Sequence, residues 1–251
     1  MKKLVNILNI NILSIDKNDL LRELDSGVVF TPNVDHLMKL QNDFQFYSAY
    51  NRADWIICDS RIVAMASKFL GSEIVETIPG SSFFRDFYSF HSNNLDIKIF
   101  LLGAAEGVAK KAMFEINNKI GREIVVGSHS PTFGFEKDDS ECNSIINLIN
   151  ASDANVLVLG VGAPKQEIWI DKYKPKFNNI KIFMALGATI DFEAGSIRRA
   201  PKLYQKYGIE WLYRLMKEPK RLWKRYLIDD IPFFYLILLQ KLNKYIDPFK
   251  K

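Results

Sequence analysis

Residues 156–168 read Val156-Leu157-Val158-Leu159-Gly160-Val161-Gly162-Ala163-Pro164-Lys165-Gln166-Glu167-Ile168. Four apolar residues end at a Gly-x-Gly turn, and Pro164 stands where a helix can open, because its missing N–H is one the first turn would leave unpaired. The pattern is a buried strand, a glycine turn and a helix. Glycines let a ligand approach the backbone, and the helix N-terminus offers free N–H groups to a phosphate. A turn of this kind is common in α/β proteins and names no ligand by itself. Lys165 stands where a dinucleotide fingerprint would have its third glycine, and no Gly-Lys-Ser/Thr follows.

Outward from this unit, apolar runs bounded by turn residues recur at 4–12, 28–31, 55–58, 97–102, 124–126 and 180–186. These predict strands. Helical periodicity fills the intervals: Asp16 can cap a helix carrying Leu20, Leu21 and Leu24, a helix from Val34 continues into the 40s, and others fall near 61–70, 81–90, 106–120, 139–150 and 165–174. Alternating strands and helices, with several strands apolar on both faces, define an α/β fold: a Rossmann-like, mostly parallel sheet flanked by helices. Ligands of such sheets bind beyond the carboxyl ends of the strands. The candidate site loops are therefore Thr31-Pro32-Asn33, Asp59-Ser60, Gly103-Ala104-Ala105, Gly160-Val161-Gly162 and Gly187-Ala188-Thr189.

After Gly195 the pattern changes to three helical stretches, 200–217, 219–226 and 232–245. Residues 1–195 read as an α/β body and 196–251 as a helical appendage. The appendage holds 14 Lys/Arg against 5 Asp/Glu, while the body holds 20 against 24, so the net charge of +5 hides a basic tail. Such a tail suits nucleic acid, an anionic membrane or a phosphorylated ligand. Its most apolar run, residues 231–239, is nine residues long, far below the roughly 20 that span a bilayer. It can bury against the body or lie in a membrane interface.

The 251 residues, 48% hydrophobic, suffice for a sizeable core and argue against disorder. Cys58 and Cys142 stand alone, with neither zinc-ligand nor disulfide spacing, which suits a reducing cytoplasm. Asn6, Asn9 and Asn11 interrupt the first apolar run, which reads as a strand rather than a signal peptide. His36, His91 and His129 have no partner at metal-ligand spacing, and none is assigned a role.

Several residues carry both a structural and a chemical reading. Asp59, between a strand and a helix, is ordinarily an N-cap carboxylate; the same position suits a general base taking a proton from a sugar hydroxyl. Thr31 and Asn33 can close a turn or bind a ligand. Asp191 and the pair Arg198-Arg199 would ordinarily form a surface ion-pair network. Arg214, Arg221 and Arg225, seven and four residues apart, would share one face of a continuous helix, though Pro219 interrupts it. Guanidiniums so placed are either a solvated face or a diphosphate clamp. The chain has no Asp-x-Asp, so no metal cofactor is expected, and a departing diphosphate would be neutralised by arginine and backbone N–H groups.

Taken in order, the motifs resemble the WecG/TagA/CpsF family of glycosyltransferases. They are Thr31-x-Asn33, Asp59, Gly80 after Glu76, Phe100-Leu101-Leu102-Gly103, Gly160-x-Gly162-x-Pro164-Lys165-Gln166-Glu167, Gly187-Ala188-Thr189-Ile190-Asp191-Phe192, Gly195, Arg199-Ala200-Pro201, Glu210-Trp211-Leu212-Tyr213-Arg214 and Glu218-Pro219-x-Arg221. The resemblance implies an inverting transferase at the inner face of the cytoplasmic membrane. It would move N-acetylmannosamine, its uronic acid or glucose from a UDP-sugar to an undecaprenyl-diphosphate-linked saccharide. It implies Asp59 as base, Thr31 and Gln166 as pocket residues, and Arg214, Arg221 and Arg225 closing over the diphosphate. Asn33, Gly103, Gly160, Gly162, Pro164, Glu167, Asp191 and Arg199 complete the expected binding set. No nucleic-acid partner is expected, and a homo-oligomer is compatible. Ser60, Thr77 and Ser82 stand where the family commonly has Gly, Arg and Asp. Two rival readings stay open on the residues alone: a dinucleotide-dependent oxidoreductase on the same sheet, and a non-catalytic module whose tail grips membrane or nucleic acid.

Overall fold

The computed structural model describes residues 3–197, 200, 201, 204 and 210–250. Its centre is the unit read first, with β7 (Val156–Gly160) fully buried and α8 (Lys165–Tyr173) following the glycine turn. Val156 and Val158 face one core layer, Leu157 and Leu159 the other. An unbroken apolar run is what a central parallel strand requires, because both of its faces meet helices.

Around β7 lie β3 (Gly27–Phe30), β4 (Trp55–Ile56), β5 (Ile99–Gly103), β6 (Val125–His129) and β8 (Ile182–Ala185). The order across the sheet is β4-β3-β8-β7-β5-β6, and every neighbouring pair is parallel. On one face pack α2 (Val34–Lys39), α3 (Phe44–Asn51), α7 (Asp139–Asn150) and α8; on the other, α1 (Lys17–Glu23), α5 (Gly80–Phe90), α6 (Val108–Ile120) and α9 (Thr189–Glu193). α4 (Arg61–Leu70) follows β4 at the sheet's edge. Asp16 caps α1 as expected, its carboxylate accepting from the N–H groups of Asn18 and Asp19.

Two expectations are corrected. The single strand expected over 4–12 is an antiparallel hairpin, β1 (Lys3–Ile7) and β2 (Ile10–Ser14), separate from the main sheet. Its two-residue turn is Leu8-Asn9, with Leu8 at φ 54°. Such turns are usually advertised by glycine; here Asn9 is tied down instead, its Nδ2 donating to the Leu40 carbonyl at 2.7 Å and its Oδ1 accepting from Gln41 at 2.9 Å. The helix expected to continue from Val34 into the 40s is broken, because Asp43 caps a second helix by accepting from the Phe46 N–H at 3.0 Å.

In the C-terminal part, α10 (Glu210–Lys217), α11 (Pro219–Lys224), a π turn (Arg225–Asp229) and α12 (Pro232–Lys241) follow one another. Residues 202–203 and 205–209 of the expected 200–217 helix lie outside the described residues. α12 buries Phe233 and Ile237 against α2 and α4. Gln240 accepts from the Leu8 N–H at 2.8 Å, Tyr245 donates to Gln41 at 2.7 Å, and the Phe249 ring lies 5.0 Å from that of Tyr47. The end of the chain is thus strapped across the hairpin and α2–α3.

The strand ends of β5, β7 and β8 approach so closely that only glycine fits. A Cβ on Gly103 would lie 2.5 Å from the Gly160 carbonyl oxygen, and one on Gly160 would lie 2.6 Å from the Gly187 carbonyl oxygen. Backbone cannot step aside as a flexible side chain can. Gly160→Ala is therefore expected to cost about 1–3 kcal/mol by overpacking, read as a lowered urea midpoint; an unchanged midpoint would contradict the close approach.

Candidate active site

Along the sheet the chain's direction reverses between β5 and β7: β5 leads outward through α6 to β6, whereas β7 leads the other way through α8 to β8. The two helices lie on opposite faces, α6 burying Ala109, Ala112 and Ile116 in one layer and α8 burying Trp169, Ile170 and Tyr173 in the other. The loops after these strands part accordingly and open a crevice, the position at which open α/β sheets take ligands. Gly103 and Gly160, paired in register, form its floor.

Gln166 fixes the loops on one side. It is 1% exposed, its Oε1 accepts from the N–H groups of Gly162 and Gly187 at 3.2 Å each, and its Nε2 donates to Glu167 at 2.8 Å. One amide therefore clamps the turns after β7 and β8. Pro164 follows a cis peptide and precedes α8. Glu167 is fully buried, and its second oxygen has no hydrogen-bond partner among the described residues. Burial pushes its carboxyl up to about 7.

Asp59 gathers the other side. Its Oδ1 accepts from the Gly80 N–H at 2.9 Å, so the carboxylate sits on the N-terminus of α5. The N-cap position of the helix that directly follows it is Ser60. Gly80 lies against Thr31, since a Cβ there would be 3.2 Å from Thr31 Oγ1 and 3.1 Å from Leu186. Thr31, Asp59, Gly80 and Leu186 thus meet at the carboxyl ends of β3, β4 and β8. Asn33 caps α2 by accepting from the His36 N–H at 3.2 Å.

Arg225 reaches this group from the C-terminal segment. Its Nη2 lies 3.2 Å from Asp35 Oδ2 and 3.5 Å from Asn33 Oδ1. Lys39 donates to the same Asp35 oxygen at 2.7 Å and reaches the Ala163 carbonyl at 3.4 Å, linking α2 to the turn after β7. The structure therefore assembles Thr31, Asn33, Asp59, Gly103, Gly160, Gly162, Pro164, Gln166, Glu167 and Arg225 along one end of the sheet. Asp191 lies half-buried in α9, and burial raises its carboxyl. Arg199 lies outside the described residues, as do the side chains of Arg214 and Arg221. The backbones of those two fall in α10 and α11, separate helices rather than one continuous face.

Sequence reading missed two groups. Asp35 is 7% exposed yet carries two cations; its Asp-x-x-x-Lys spacing to Lys39 was the available signal. His36 and Tyr50 form a buried pair, Nδ1 to hydroxyl at 2.8 Å, and burial pushes the imidazole down to about 3. Among the described residues no cluster of three or more His, Cys, Asp or Glu is placed to hold a metal ion.

With this geometry in place, comparison with known proteins defines the class. A model of the "Glycosyl transferase WecG/TagA/CpsF family" matches residues 5–247. The chain belongs to this family and is a glycosyltransferase. It is similar to the N-acetylglucosaminyldiphosphoundecaprenol N-acetyl-beta-D-mannosaminyltransferase of Staphylococcus aureus (strain MRSA252), 29% identical over 185 residues, which cover 73% of this chain and 68% of the relative. The transferase of the same description from Bacillus spizizenii (strain ATCC 23059 / NRRL B-14472 / W23) is 26% identical over 212 residues, 84% of this chain and 78% of the relative. The oxidoreductase and non-catalytic readings give way to this membership.

Glu167 provides a test of the site's interior. Its folded value of about 7 lies above the ordinary 4.5, so the folded state holds the extra proton between these values. Its contribution to stability is full below pH 4.5 and is lost as pH rises toward 7. His36 acts oppositely: with a folded value of about 3 against 6.5, its contribution is lost as pH falls through that window. Glu167→Gln removes only the first dependence. Relative to wild type, the variant should gain about 2 kcal/mol on going from pH 5 to pH 8 in urea titrations. Parallel pH profiles would refute a neutral buried carboxyl.

Proposed function

We propose that this glycosyltransferase moves a sugar of the N-acetylmannosamine type from a UDP-linked donor to a lipid-linked N-acetylglucosamine diphosphate, in cell-surface polymer synthesis. The acceptor and sugar class follow the two relatives' names. The observation that carries the chemistry is the anchored Asp59 carboxylate, set on the Gly80 N–H beside Thr31 at the mouth of the sheet. The reaction is a single displacement. The acceptor hydroxyl oxygen bonds to the anomeric carbon as its proton passes to Asp59, and the bond to UDP breaks with the electron pair leaving on the diphosphate. Inversion at the anomeric carbon follows from one displacement. The departing charge is met by Arg225, with Arg214 and Arg221 as further clamp residues and no metal, and by loop backbone N–H groups other than those of Gly162 and Gly187, which Gln166 holds. Thr31, Asn33 and Gln166 shape the donor pocket.

The enzyme meets its lipid-linked acceptor as a peripheral protein on the inner membrane face. Among the described residues no helix is long and apolar enough to cross a membrane. α12 exposes Phe234, Tyr235 and Leu238, α4 exposes Met65 and Phe69, and Lys241 lies 5.5 Å over the Phe69 ring. Apolar side chains interleaved with lysine suit the headgroup layer of an anionic bilayer.

Asp59→Asn should lower the rate of UDP release from UDP-N-acetylmannosamine with a GlcNAc-diphosphate lipid by at least 100-fold, with the melting temperature near wild type. Near-normal turnover would sink the base assignment. For the membrane reading, the triple variant Phe234→Ser/Tyr235→Ser/Leu238→Ser should lose most co-sedimentation with phosphatidylglycerol vesicles while keeping its melting temperature. Unchanged sedimentation would exclude this face.

A further inference from the structure

Asp35 sits at the junction between the body and the C-terminal segment. Its side chain is 9% exposed, and one oxygen, Oδ2, receives both Lys39 at 2.7 Å and Arg225 at 3.2 Å. Two cations sharing one oxygen would repel each other without the charge between them. Lys39 belongs to the same helix as Asp35, whereas Arg225 arrives from 190 residues further along the chain, within the π turn that follows α11. The Arg225 guanidinium also leans on Asn33, and its buried Nε has no partner among the described residues. Asp230, which closes the π turn by donating its N–H to the Arg225 carbonyl at 2.8 Å, is 8% exposed, and its buried Oδ1 has no hydrogen-bond partner among the described residues. Among the described residues the carboxylate at ion-pair distance from this guanidinium is that of Asp35, with Asp230 as a further acidic group nearby.

We propose that Asp35 is a positioning residue for transfer: it holds Arg225 beside the Thr31-Pro32-Asn33 loop, so that the arginine meets the donor diphosphate from a preset position. The proposal rests on the reading that Arg225 closes over that diphosphate. Removing the carboxylate takes away the oxygen that Lys39 and Arg225 share and releases the arginine together with the π turn. A site that must order a free guanidinium at each encounter binds its donor more weakly.

The test is a double-mutant cycle on the full chain, reading UDP release from UDP-N-acetylmannosamine with a GlcNAc-diphosphate lipid. Asp35→Asn should raise the donor KM about tenfold and leave the acceptor KM within twofold of wild type. In an Arg225→Gln background the same substitution should change the donor KM by less than twofold, because the arginine through which Asp35 acts is gone. Asp35→Glu should keep the pairing and recover most of the donor affinity. Equal losses in both backgrounds, or a parallel rise in both KM values, would mean that Asp35 supports the fold generally and would overturn the proposal. If Asp35→Asn does not fold, the cycle is run with Asp35→Glu, whose displaced carboxylate should raise the donor KM about threefold in wild type and have no effect beside Arg225→Gln; an equal effect in both would likewise overturn it. A wild-type chain releasing no UDP would defeat the transfer reading itself, whereas an active wild type with an unaffected Asp35→Asn defeats only this inference.

Discussion

At the carboxyl end of the sheet, a carbonyl oxygen occupies the place where each neighbouring strand would carry a side chain: Gly160 against Gly103, and Gly187 against Gly160. This backbone contact brings three strand ends close enough for one buried amide, Gln166, to accept from two of the loops at once. It also lowers the floor of the crevice that opens where α6 and α8 diverge. A methyl group at either position would push the strands apart and separate the loops that Gln166 joins. The packing of the core and the shape of the site are therefore set by the same few atoms.

The charges at the site are arranged around that floor at different depths. Asp59 is fixed by the N–H of Gly80, at the open side of the sheet. Beneath the loops, burial rather than a partner of opposite charge raises the Glu167 carboxyl to about 7 and lowers the His36 imidazole to about 3, so the imidazole is uncharged near neutrality and the carboxyl only part ionised. Among the described side chains, Lys39 and Arg225 bring positive charge here, both gathered on Asp35. The proposed displacement uses this arrangement, with the anchored Asp59 carboxylate to take the proton on one side and the restrained Arg225 to meet the departing diphosphate on the other.

Much of this was legible in the residues. The runs at 156–160 and 180–186 predicted buried strands because a parallel strand is apolar on both faces, and the loops chosen by the strand-end rule are the loops that converge. The hairpin at Leu8-Asn9 was hidden, since its turn uses an asparagine held by Leu40 and Gln41 where glycine usually signals the bend. The break before Asp43 was hidden too, because the apolar spacing continues through it. Asp35 received no reading from the sequence, and no local pattern could show that an arginine 190 residues away shares its oxygen with Lys39.

By itself the sequence determined the alternation of strands and helices, the glycine turns at the strand ends, the basic character of the last segment and the order of motifs that marks a glycosyltransferase. Each of these is a local property, set by period, turn chemistry or charge along the chain. Tertiary structure alone decided that Asp59 rests on the N-terminus of α5, that Gln166 clamps two loops, and that Arg225 pairs with Asp35. Those outcomes depend on which groups lose water together when distant segments pack, and burial turns such proximity into hydrogen bonds and shifted charges.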